Sequence, residues 1–239
     1  MKFYSYPKIP TICKRAEDGT HALTSEFAND SLKVLSNLVW MGTEKIDGTN
    51  CGIVWDGHKI GFQGRTEDAA INAKHFAYLQ ETFQTEEVAQ IFEQKFGERP
   101  VVLFGELIGG GIQGNIYTDQ PTFIAFDLLL TAFGEAREVW ADPIFKNEVC
   151  EALGATPSPV VFHGTLNEAI DFVKAAPISE TEKCVMEGLV LRPTVELRDN
   201  QGKRIFCKVK VKDYLGKKEI KEKNEKIKAM GKPIIETLW

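Results

Sequence analysis

With 239 residues, 43% of them hydrophobic and 26% charged, the chain has an ordinary globular composition and enough length to bury a sizeable core as one domain. No apolar run approaches the ~20 residues needed to span a bilayer, and Met1-Lys2-Phe3-Tyr4-Ser5-Tyr6-Pro7 lacks the apolar centre of a signal peptide. The net charge of −5 is unevenly spread, because residues 203–232 hold 12 Lys/Arg against 4 Asp/Glu on an otherwise acidic chain. A basic end on an acidic body points to a polyanionic partner met at one place; a solvated lysine-rich helix is the plainer alternative. The five cysteines, Cys13, Cys51, Cys150, Cys184 and Cys207, are odd in number and widely spaced, with no C-x-x-C pair. Nothing in that pattern suggests zinc or a redox centre, and it fits a reducing cytoplasm.

In chain order, residues 1–37 give few signals; Thr24-Ser25-Glu26-Phe27 and Leu32-Lys33-Val34-Leu35 are expected to hold a short helix. Leu38-Val39-Trp40-Met41 reads as a buried strand. Thr43-Glu44-Lys45-Ile46-Asp47-Gly48-Thr49-Asn50 follows, with Lys45 its one cation and Asp47-Gly48 turning the chain. Cys51-Gly52-Ile53-Val54-Trp55 and Lys59-Ile60-Gly61-Phe62 flank Asp56-Gly57, a strong hairpin signal, and Gln63-Gly64-Arg65-Thr66 ends the second arm. Residues 67–83 and 86–96 read as helices, the latter from the spacing of Val88, Ile91, Phe92 and Phe96, with Gly97 as its cap. Val101-Val102-Leu103-Phe104 is a buried strand running into Gly105-Glu106-Leu107 and a glycine loop, Gly109-Gly110-Gly111. That loop is no P-loop, since no Gly-Lys-Ser/Thr follows. Thr122–Leu129 is another buried strand with one acid inside it.

Asp142-Pro143 opens a helix in cap-then-proline order and Gly154 closes it. Thr165-Leu166-Asn167-Glu168 is a capping box for a helix to about Lys174. Glu187-Gly188-Leu189-Val190-Leu191-Arg192 is a strand headed by an acid. Val195–Arg198 and Arg204–Lys210 are expected to form a closing hairpin around Asp199–Gly202, with Lys208 and Lys210 on one face. Residues 213–230 read as a lysine-rich helix. Strands interrupted by helix pairs, without regular β-α-β alternation, define an α+β fold with mostly antiparallel sheets.

Lys45, Arg65, Glu106, Glu187 and the pair Lys208/Lys210 all sit within or at the ends of otherwise apolar strands. Charges in such places are paired or functional. Buried ion pairing explains any one of them alone, and it explains five together poorly. A lysine fixed at a strand end is a candidate nucleophile toward phosphoryl or carbonyl groups.

Taken together these stretches resemble the covalent nucleotidyltransferases, the superfamily of RNA ligases, DNA ligases and mRNA capping enzymes, and most of all the phage-type nick-sealing ATP-dependent RNA ligases. Lys45-Ile46-Asp47-Gly48-Thr49-Asn50 is similar to the family's nucleotidyl motif, and Phe104-Gly105-Glu106-Leu107 to the next in order. Phe126-Asp127-Leu128, Glu187-Gly188-Leu189-Val190-Leu191 and Lys208-Val209-Lys210 are similar to the ones that follow. The resemblance implies a nucleotidyltransferase (adenylation) domain over residues 1–212, antiparallel sheets flanked by helices with the nucleotide pocket between them, and a basic helical tail over 213–239. It implies Lys45 as the nucleophile toward ATP, and catalytic roles for Glu187, Lys208 and Lys210. Glu44, Ile46, Asn50, Arg65, Glu106, Gln113 and Phe126 fall at nucleotide-binding positions, with Arg65 and Glu106 on the ribose and Phe126 stacked on adenine. Glu187 and Asp47 are the implied contacts to Mg2+ or Mn2+.

The implied partner is RNA with a 5′-phosphate and a 3′-hydroxyl, as a nick in a duplex or an RNA/DNA hybrid. A monomer in the cytoplasm, of phage type and without a membrane anchor, completes the expectation. The first step needs a neutral amine, and a free lysine near pH 7.4 is neutral in only about one molecule in a thousand. Burial and neighbouring cations favour the neutral form of an amine. A minimal DNA ligase, a capping-type guanylyltransferase and a non-catalytic nucleic-acid-binding module are the alternatives. Against the first two, only 29 residues follow Lys210, where both usually add an oligonucleotide-binding barrel. Against the third stands the intact Lys45.

Overall fold

A computed structural model describes residues 1–17, 22–112, 120–131, 138–181 and 183–230. The chain divides into two compact units: the first joins Met1–Lys8 to Asp47–Ser158, the second Ile9–Ile46 to Pro159–Trp239. Among the described residues no helix is long and apolar enough to cross a membrane.

The second unit begins with an antiparallel ribbon of β1 (Cys13–Arg15) and β2 (Leu23–Phe27), then α1 (Asp30–Val34) and β3 (Trp40–Glu44). Two expectations are corrected here. Residues 24–27 are strand, because pairing with Cys13–Arg15 decides the conformation of a short segment that has little helical preference of its own. Leu38 and Val39 are exposed, at 49% and 55%, and the strand starts at Trp40, which is fully buried. An unbroken apolar run does not say which of its members turn inward.

The first unit follows as β4 (Thr49–Trp55), β5 (Ile60–Gln63), α2 (Ala73–Phe83), α3 (Glu86–Phe96), β6 (Val101–Ile108), β7 (Thr122–Thr131), β8 (Glu138–Trp140), α4 (Pro143–Leu153) and β9 (Thr156–Pro157). The order β5-β4-β6-β7-β8 is antiparallel throughout, and β9 adds to β7 in parallel. The Asp56-Gly57 hairpin forms as expected, with Gly57 at φ +101°, a value that favours glycine. The helix expected over 67–83 starts only at Ala73, where the Asn72 side chain caps it by accepting from the His75 N–H. One face of the sheet buries Cys51, Ile53, Leu103 and Leu128 against Leu79, Phe83, Phe92 and Val149 from the three helices. Each such side chain contributes about 1.5–3 kcal/mol by leaving water.

The second unit resumes with β10 (Val160–Gly164), α5 (Leu166–Lys174), β11 (Gly188–Pro193), β12 (Cys207–Lys210) and α6 (Lys217–Ala229). Its sheet order is β10-β3-β11-β12, all antiparallel, so the α+β reading with mostly antiparallel sheets holds. The capping box at Thr165 forms in full. The hairpin expected across residues 195–210 shrinks to one bridge, Arg198 to Arg204. The Asp199 carboxylate accepts from the Gln201 and Lys203 N–H groups and closes a tight loop, while β12 pairs with β11 and, at Lys208, with Thr11. The C-terminal helix is shorter than expected, since a 3-10 turn over Val211–Asp213 precedes it. Trp40, Leu166, Val173, Leu189, Leu191 and Val209 form the core between sheet and α5.

Candidate active site

Lys45 lies one residue past β3, and its N–H donates to the Gly188 carbonyl at 2.9 Å, extending the β3–β11 ladder. Gly188 is in turn the register partner of Lys210, and Val190 that of both Thr43 and Lys208. Residues paired across strands share a face. Two rows therefore cross the sheet, Lys45–Gly188–Lys210 and Thr43–Val190–Lys208, opposite the buried face that holds Leu189, Leu191 and Val209.

Glu187, just before β11, ties the first row together. Its Oε2 accepts from Lys45 Nζ at 2.5 Å and its Oε1 from Lys210 Nζ at 2.5 Å. The three side chains are only 12–19% exposed. Charge-assisted bonds of this kind are about twice as strong as neutral ones, and partial burial spares them most of the solvent screening. Two ammonium groups on one carboxylate leave the cluster with one net positive charge, which suits a phosphate.

Gly188 has φ +154°, and a Cβ there would stand 2.0 Å from the Val209 carbonyl oxygen. Gly188→Ala is thus expected to destabilise the second unit by about 1–3 kcal/mol, the usual cost of a strained backbone residue. A thermal melt checks this; an unchanged midpoint would mean that the β11–β12 contact gives way freely.

Glu44 takes the other side of the strand. It is 2% exposed, and its carboxylate accepts from Ser179 Oγ at 2.5 Å and from the Glu180 N–H at 2.9 Å. Burial pushes its carboxyl above the usual range, against the hydrogen bonds, which pull it down. Ile46, two residues on, is buried, and Lys208 is half-buried, with its N–H on the Pro10 carbonyl.

The other expected residues lie in the first unit. Asn50 on β4 and Glu106 on β6 are register partners and both half-buried. Asp47 is half-buried, and Arg65 is exposed just past β5. Gln113 lies outside the described residues.

Phe126 is the extra residue of a β-bulge, since Phe104 pairs with Asp127 while Gly105 pairs with Ala125. The bulge lets two consecutive residues meet Tyr6: the Phe126 ring lies 5.0 Å from the Tyr6 ring at 73°, and Asp127 Oδ2 accepts from the Tyr6 hydroxyl at 2.9 Å. Tyr6 also packs edge-on against Trp140 at 5.5 Å. Sequence reasoning missed Tyr6; the aromatic run Phe3-Tyr4-Ser5-Tyr6 ahead of Pro7 was the available signal.

The cysteines offer no rival nucleophile. All five are buried. Burial, helped by the charge of Glu106, pushes the Cys51 thiol up to about 12, and burial raises Cys13, Cys150 and Cys207 as well. Among the described residues no three His, Cys, Asp or Glu side chains gather as a metal cage. Glu187 is nonetheless a hard oxygen donor of the kind Mg2+ or Mn2+ accepts, and one carboxylate suffices for an ion that keeps most of its waters, so the residues present fit such an ion.

The second unit thus sets two lysines, from the strands on either side of β11, on one carboxylate. The family model described as RNA ligase matches residues 38–210, and the chain belongs to that family. Solved structures agree on the fold. Naegleria gruberi RNA ligase with PPi superposes at a TM-score of 0.59 with 20% identity, covering 90% of this chain and 64% of that one. An arginine-to-alanine mutant of the same ligase with ATP and Mn gives 0.61 and 20%, covering 90% and 62%. A glutamate-to-alanine mutant with ATP and Mn gives 0.59 and 18%, covering 91% and 62%. The chain thus spans about six-tenths of the length of the structures it matches.

Proposed function

We propose that this chain is an ATP-dependent RNA ligase. One observation supports the reading above the rest: Lys45 and Lys210, from opposite sides of β11, meet on the carboxylate of Glu187 inside the segment that matches the RNA ligase family.

As an ion pair with Glu187, the Lys45 amine holds its proton and has no lone pair for attack. The reaction therefore begins when that pair opens and the ammonium passes a proton to water. Lys45 Nζ then attacks the α-phosphorus of ATP; an N–P bond forms, the α–β anhydride bond breaks, and pyrophosphate departs. Lys210 and Lys208 hold the phosphate oxygens as charge redistributes, without needing to reorganise. A nucleic-acid 5′-phosphate next attacks the lysyl-AMP, restoring the free lysine and leaving AMP on the strand. A 3′-hydroxyl displaces that AMP and forms the phosphodiester bond.

In this reading Arg65 and Glu106 contact the ribose, Phe126 stacks on the adenine as an aromatic face suits any base, and Glu44, Ile46, Asn50 and Gln113 complete the nucleotide contacts. Residues 1–212 serve as the adenylation domain and 213–239 as a basic tail. Glu187 and Asp47 are the contacts for Mg2+ or Mn2+, which when bound offsets negative charge on the phosphates. The protein acts as a cytoplasmic monomer of phage type in RNA repair, on RNA ends in a nicked duplex or an RNA/DNA hybrid.

The test is a sealing assay with ATP and Mg2+. The substrate pairs a 5′-phosphorylated RNA with a 3′-hydroxyl RNA, held side by side on an RNA or DNA splint. Sealed RNA is expected. Sealing of DNA strands alone would move the protein to the DNA ligases, and transfer of GMP from GTP to an RNA end would move it to the capping enzymes.

A further inference from the structure

Helix α6 is not a free tail. Ile220 and Ile227 pack on the core of the second unit, the Asn224 side chain accepts from the Val185 N–H at 2.7 Å, and the Lys223 ammonium reaches the Ala175 carbonyl at 3.4 Å. Those are the helix's three half-buried residues and one anchoring lysine, and every other residue of α6 is exposed.

At about 100° per residue, Ile220, Asn224 and Ile227 fall within an arc of roughly 60°, which fixes the inward face. On the same projection Lys217, Lys221 and Lys228 fall within about 40° of one another, on the flank beside Asn224. The acids Glu219, Glu222 and Glu225 fall on the outer crest, interleaved with Lys218 and Lys226. Within α6 the acid nearest the flank is Glu225, which approaches Lys221 only to 4.0 Å with both side chains well exposed; such a pair holds little. Each turn of the helix thus separates its charges, with a basic ridge on one flank and a mixed crest outside.

Asn224, at the edge of the ridge, holds the Val185 N–H, so this flank borders the segment that leads into β11. At about 1.5 Å per residue, Lys217 to Lys228 spans roughly 16 Å, enough to follow several phosphates of one strand.

Resting on the ligase reading above, we propose that the Lys217–Lys221–Lys228 ridge is the surface that grips the phosphate backbone of the RNA beside the break. Charge on this flank makes the contact sequence-independent, as suits an enzyme that must accept any RNA end.

The experiment compares two double variants of the full chain with the same change in net charge. Lys221→Glu/Lys228→Glu reverses the ridge, and Lys218→Glu/Lys226→Glu reverses the crest. Binding of a splinted, 5′-phosphorylated RNA nick is titrated across a salt series without ATP, so no catalytic step is needed. The ridge variant is expected to lose about tenfold or more in affinity at low salt. Its log-affinity against log-salt slope should shrink by about 1–2, since each lost phosphate contact removes roughly 0.7–0.9. The crest variant should keep most of the affinity and the slope. Equal losses in both would overturn the proposal in favour of general charge, and no loss in either would make α6 a solvated face. If the ridge variant melts below wild type, Lys221→Gln/Lys228→Gln gives the same comparison at a smaller change in charge. Lysyl-AMP formation by the wild-type protein, measured without RNA, tests the ligase reading separately; its failure leaves the titration as a statement about RNA binding alone.

Discussion

Lys45→Ala is expected to form no covalent adduct with labelled ATP, and neither is Lys45→Arg. The first removes the amine and the second replaces it with a guanidinium that is always protonated and cannot attack. The arginine variant is the sharper test, because it keeps a cation within reach of Glu187 and so preserves the charge balance of the Lys45–Glu187–Lys210 cluster. Loss of labelling in both variants, with thermal midpoints close to wild type, identifies the amine and not the ion pair as the needed element. Labelling of either variant at the wild-type level would remove Lys45 as the nucleophile.

Glu187→Ala should cut adenylylation by at least about a hundredfold, the scale on which removal of a preorganised charged group acts. Two effects combine. The carboxylate that fixes Lys45 and Lys210 is lost, and two like charges are left facing each other in a partly buried site. Breaking a buried ion pair by removing one partner costs about 3–5 kcal/mol, and Glu187, 12% exposed, is largely out of water. Glu187→Gln separates the effects, since an amide can still meet one lysine through its oxygen but carries no charge. The expected pattern is a modest fall in melting temperature for Glu187→Gln with adenylylation still reduced at least tenfold. Full labelling in Glu187→Gln together with a collapsed melting temperature would mark Glu187 as a structural ion-pair residue and no more.

Much of this arrangement was legible in the sequence, because the signals were local. The Asp142 cap ahead of Pro143, the Thr165 box and the Asp56-Gly57 turn are short-range chemistry, and each forms where it reads. Lys45, Glu187 and Lys210 stood out as charges in apolar strands for the same reason. What could not be read was which of them meet. That depends on register, and the Lys45–Gly188–Lys210 row exists only because β3 and β12 flank the same strand. The Phe126 bulge depends on a one-residue slip between β6 and β7, and the Tyr6 contacts on a segment more than a hundred positions away in sequence. The strand at Leu23–Phe27 was set by pairing with nearby Cys13–Arg15, which neither segment's own preferences announce, and the exposure of Leu38 and Val39 was hidden because an unbroken apolar run does not say which members turn inward.

The most direct measurement of the central claim is peptide mapping of the wild-type protein after incubation with ATP and Mg2+. The account predicts a single AMP adduct, removed by added pyrophosphate, on the peptide that contains Lys45. An adduct on any other residue, or none with ATP, would contradict it.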